Sequence, residues 1–133
     1  MVRQDVLEWW DTAVPSRLND PKTGAFVIIM QRVHERDLTG HILRKQAEAI
    51  ADKFQTEPEE WTHLCVPAKY ETNHPHIYFS ILPDCSFPED PRSEEDELLW
   101  PSRFNEKAIS NLSSSLGEYA TAGQLQQRPA PKG

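Results

Sequence analysis

The sequence has no long hydrophobic run, almost no cysteine and little glycine, and each shortage removes a class of protein. No stretch reaches the ~20 consecutive apolar residues that a membrane-spanning helix needs. The opening MVRQDVLEWWDTAV lacks the basic segment and continuous apolar core of a secretory signal. The expectation is a protein with no membrane span or anchor, in the cytoplasm. Only Cys65 and Cys85 are present, in no C-x-x-C pair, which argues for reduced structural thiols and against a disulfide framework. The five glycines form no G-x-x-x-x-G-K-[ST] motif, so the chain offers no backbone cradle for nucleotide phosphates. Excess positive charge is missing too. At a formal charge of −7 the chain lacks a general phosphate-binding surface, so DNA binding by it alone is expected to be weak or nil.

Proline, by contrast, is abundant: 11 residues punctuate the chain, and an apolar share of 38% leaves only a modest core. Residues 2–13 carry Val6, Leu7 and Trp10 at a helical spacing that Val14 continues, and Pro15 stops that helix. Asn19, Asp20, Pro21 and Gly24 are turn chemistry. The uncharged run AFVIIM, residues 25–30, has the length and β-branched content of a buried parallel strand. Asp37 is placed to cap a helix that begins at Leu38 and runs towards Phe54 through Ile42, Leu43, Ala47 and Ile50. Residues 61–66 and 77–82 read as short strands closed by Pro67 and Pro83. A charged, proline-rich loop covers 84–104. Two short helices, 106–116 and 118–127, flank Gly117, and the end of the chain reads as a connector.

Two blocks are unusual as wording: VPSRLNDPKTGAFVIIMQRVHERDLTG at 14–40, and ELLWPSRF with LGEYATAGQLQQRPAP between 97 and 131. They resemble the large terminase subunit of tailed bacteriophages and prophages, the ATP-driven motor that packages DNA. The resemblance implies an α/β fold, an incomplete P-loop-type ATPase sheet with flanking helices and a Pro-rich connector. Residues 1–83 would be the C-terminal part of the ATPase domain, and 84–133 the connector and short helices leading towards a nuclease domain absent from this sequence. Gln31 and Arg32 would then stand at the carboxyl end of a sheet strand, where a polar group can sense the γ-phosphate or its attacking water and couple hydrolysis to movement. Arg17 would be a second phosphate contact, and residues 124–131 the hinge. Double-stranded DNA, a small terminase subunit and a portal ring would be partners of the complete protein. ATP and Mg²⁺ are likewise implied only for that complete protein; this chain has no cofactor of its own. Lacking both phosphate loop and nuclease carboxylates, it is expected to be inactive alone. A stand-alone interaction module, a split enzyme whose phosphate loop comes from a separate chain, and a non-functional prophage remnant are the competing readings.

The same residues have plainer explanations. Arg32 leaving a strand end is placed to pair with Glu35 or Asp37, and Arg17 with Asp20 or Asp11. The pattern His34, Asp37, His41 matches no zinc signature, and a capping Asp37 beside an exposed His41 explains it without metal. Trp9, Trp10, Trp61 and Trp100 are mostly flanked by acidic or apolar residues, whereas a single-strand stacking site pairs aromatics with basic ones, so packing is their expected role. The acidic run 94–97 reads as a solvated face.

Overall fold

The computed structural model describes residues 2–52, 61–74 and 90–130. The expected strand 77–82, Cys85 and the last residue of the hinge, Pro131, lie outside them. Among the described residues, three α-helices carry the fold: α1 (Val2–Ala13), α2 (Leu38–Ala51) and α3 (Glu106–Ala120). Helix α1 buries Leu7, and Val14 just beyond it, whereas Val6 remains 43% exposed. The stripe facing the interior is therefore narrower than the periodicity suggests. Pro15 opens a short 3₁₀ turn, Pro15–Arg17, where its missing N–H costs nothing. The Asp20 side chain then accepts from Lys22 N at 2.9 Å and Thr23 Oγ1 at 2.7 Å, turning the chain into an extended run over 24–34.

The expected α/β sheet is not what the chain forms. Among the described residues there is no strand, and the one β pairing is an isolated antiparallel bridge between Lys69 and Leu98. Residues 25–30 and 61–66 are extended but make no ladder with one another. The reason lies in what covers them. A buried parallel strand needs cover on both faces and partners along its edges. Here Phe26, Ile28 and Met30 turn partly inward, whereas Val27 and Ile29 stand 81% and 94% exposed. The inward face meets an aromatic cluster: Phe26 stacks on Trp61 at 6.4 Å between centroids, and Trp10 lies 5.9 Å from each. An open cleft of about 640 Å³ separates the two extended segments, with Thr39, Ile42 and Leu43 of α2 along it.

Helix α2 begins where expected. Asp37 is its N-cap, accepting from Gly40 N at 2.9 Å. It buries His41 and Ile42, while Ala47 and Ile50 at its far end are exposed. Helix α3 is capped by Asn105, which accepts from Ala108 N at 2.9 Å, and it buries Ile109. The break expected at Gly117 is present: φ 80° and ψ 171° interrupt the helix there, a conformation essentially confined to glycine. A single π turn, Thr121–Leu125, follows α3 and carries the chain back towards Arg32.

Candidate functional site around Arg32

Arg32 is the most completely held cation of the extended segment. Its residue exposure is 6% and that of Asp37 is 4%. Arg32 Nε donates to both Asp37 carboxylate oxygens, at 3.0 and 2.9 Å. Asp37 Oδ2 also accepts Val33 N at 3.1 Å, and Arg32 Nη2 reaches the Glu35 carbonyl at 3.4 Å. One carboxylate thus neutralises the buried guanidinium, closes the turn and caps α2. A buried charge is tolerated only when paired and hydrogen-bonded in this way. Of the two partners open to Arg32 from sequence, the carboxylate it takes is Asp37, and Glu35 contributes only its carbonyl.

Gln31, its neighbour, is exposed, and its side chain makes no hydrogen bond among the described residues. Arg17 is exposed at the end of the 3₁₀ turn and forms no ion pair there either. The two acids open to it are engaged elsewhere: Asp20 closes its own turn, and Asp11 receives His41 Nε2 and Lys45 Nζ, each at 3.0 Å. No hydrogen bond or ion pair joins Arg17 to Gln31 or Arg32 among the described residues. Of the three candidates, Gln31 and Arg17 are left without a partner among the described residues, while Arg32 is committed to the fold.

His41 corrects a second expectation: it is buried, at 9% exposure, not exposed. Its contact with Asp11 ties α2 to α1. Burial pushes the Asp11 carboxyl up, but the hydrogen bonds from His41 and Lys45 outweigh that and hold it below its usual range. His34 uses Nδ1 to accept Arg36 N at 2.9 Å. No group of three or more His, Cys, Asp or Glu residues capable of holding a metal occurs among the described residues. Cys65 is buried, and burial pushes its thiol up to about 11, against an opposing pull from the Arg32 charge.

The C-terminal block docks on the same place. Arg32 N donates to Gln127 Oε1 at 3.2 Å, across 95 positions of sequence. Gln126 treats residue 69 as a strand neighbour would: its side chain accepts from Lys69 N at 3.0 Å and donates to Lys69 O at 2.9 Å. Ala68 N donates to Leu125 O at 2.8 Å, and Arg128 Nε clasps both oxygens of Glu71 at 2.8 and 2.9 Å. Burial raises the Glu71 carboxyl, but Arg128 and Gln126 prevail and hold it low. Arg92, 5% exposed, forms a two-pronged pair with Asp90 and donates to Pro67 O at 2.9 Å, which fixes the charged loop against the same segment. Sequence reasoning missed Gln126, Gln127 and Arg92 as organisers. Their partners lie far away in sequence, and a Gln-Gln pair in a proline-rich tail carries no local pattern.

No protein-family model, curated protein or solved structure matches the chain. No described helix is long and apolar enough to cross a membrane.

Proposed function

We propose that the chain is a segment of a phage or prophage terminase large subunit and relays ATP hydrolysis to the parts of the motor that move and cut DNA. One observation supports this reading. The two blocks of wording that resemble the family meet at the Arg32–Gln127 contact. A relay from a nucleotide site to a following domain needs such a junction. Gln31, exposed beside it, is the sensor; Arg32, fixed by Asp37, is the transmitter; Arg17 is a phosphate contact supplied at the edge. The chain carries no phosphate loop, so ATP and Mg²⁺ belong to the complete motor, with DNA, small subunit and portal as its partners in the bacterial cytoplasm.

The test is reconstitution. The upstream terminase piece, which carries the phosphate loop and stops where this chain begins to correspond, is mixed with this chain, and magnesium-dependent ATP hydrolysis is measured. Neither piece alone is expected to turn over ATP, and the mixture is. No gain under saturating mixing contradicts the proposal. The competing interaction-module reading is favoured by one feature, the exposed apolar Val27 and Ile29 beside an open cleft. It predicts co-purification with terminase or portal components without restored hydrolysis.

A further inference from the structure

Arg32 is gripped through its backbone as well as its side chain, and the grip comes from the C-terminal turn. Its N–H is held by the Gln127 side chain. Its carbonyl oxygen lies so close to Gly123 that a Cβ there would sit 2.7 Å from it, inside the contact distance that real side chains keep. Gly123 is buried in the π turn, and the Gln127 side chain is aimed by an unusual backbone: φ is 56°, left-handed for a non-glycine residue. That conformation is anchored by Gln127 N donating to Gly123 O at 2.9 Å and by Nε2 donating to Gln124 O at 2.9 Å. A strained residue persists only where its surroundings over-determine it.

We infer that Gly123 and Gln127 form a latch that locks residues 121–128 to the Arg32 backbone, so the end of the extended segment and the C-terminal connector shift as one body. Gln127 is a positioning residue: it holds the backbone beside Gln31, and nothing assigns it contact with a reactant. Calling the latch the motor's relay rests on the terminase reading, but the mechanical linkage does not. Packing and hydrogen bonds with discrete arrangements are what carry coupling between sites, and such coupling is reciprocal.

Amide hydrogen exchange on the full chain tests this without nucleotide or DNA. In Gly123→Ala the added methyl pushes against Arg32 O. Exchange at Val33 and Gly40, whose N–H groups rest on Asp37 and not on Gly123, is expected to rise about tenfold, with the α1 amides unchanged. Gln127→Ala gives the same pattern, and so in part does Gln127→Glu, which keeps an acceptor for Arg32 N but loses the Nε2 donor to Gln124 O. Reciprocity supplies an independent reading: Asp37→Asn should speed exchange at Gln127 and Arg128, which are bonded to Gly123 O and Ala122 O. Acceleration confined to 121–128 in the first two variants, or absent there in Asp37→Asn, overturns the latch. If the latch holds and reconstitution fails, only the terminase reading falls.

Discussion

Replacing Asp37 by alanine should be among the most damaging single changes in this chain, and its cost can be worked from the contacts. The carboxylate serves Arg32 Nε twice, Val33 N once and Gly40 N once. Losing an N-cap costs about 1 kcal/mol. Leaving a buried guanidinium without its partner costs about 3–5 kcal/mol, because the charge has already been stripped of water. The two losses share one side chain and do not add in full, so about 4 kcal/mol is expected for Asp37→Ala. A domain's whole stability is about 5–15 kcal/mol. Asp37→Asn separates the parts: asparagine caps as well as aspartate but cannot neutralise Arg32, so it should recover about 1 kcal/mol. Replacing both partners, Arg32→Met with Asp37→Leu, removes the buried charge altogether and should cost less than either single change beyond the lost cap. Urea unfolding followed by tryptophan fluorescence measures all four proteins. A loss below about 1 kcal/mol for Asp37→Ala would falsify the view that this pair organises the site.

Four further outcomes follow from the same contacts. Ile29→Asp should change stability by less than about 0.5 kcal/mol in urea unfolding, because Ile29 is 94% exposed; a loss above 2 kcal/mol would mean that the segment is buried after all. Gly117→Ala should cost about 1–3 kcal/mol through backbone strain alone, since its Cβ meets nothing within 4 Å, and thermal unfolding would register it. Asp11, Glu71 and Asp90 are each held below their ordinary values of 3.8, 4.5 and 3.8, so their contribution is complete above about pH 5 and fades as pH falls below about 4. The urea midpoint should therefore drop between pH 7 and pH 3, and a constant midpoint would contradict these pairings. At pH 8, Cys65 should alkylate at least about 100-fold more slowly than an ordinary thiol near 9.0, as followed by peptide mapping; equal rates would refute its burial.

Local signals in the sequence were readable wherever the physics is local. Asp37 as a cap, Pro15 as a stop and Gly117 as a break each act within a turn of their own position, and each stands where its chemistry puts it. The run 25–30 misled because a continuous apolar stretch reports suitability for burial, not the presence of neighbours to bury it. Strand formation depends on partners, and none lies along either edge among the described residues. His41 misled for a related reason: its burial is decided by Asp11 on another helix, 30 positions away. Around Arg32, the Asp37 pairing was among the legible alternatives, since five residues separate the two. The Gly123 and Gln127 contacts were not, because a close backbone approach and a hydrogen bond between residues so far apart in sequence leave no trace in spacing.

The most direct measurement is the DNA sequence on either side of this reading frame. An intact phosphate-loop motif with a paired-acid strand is expected upstream and clustered nuclease carboxylates downstream, in the same orientation. Unrelated genes on both sides would contradict that expectation and leave an independent binding module or a remnant as the better description.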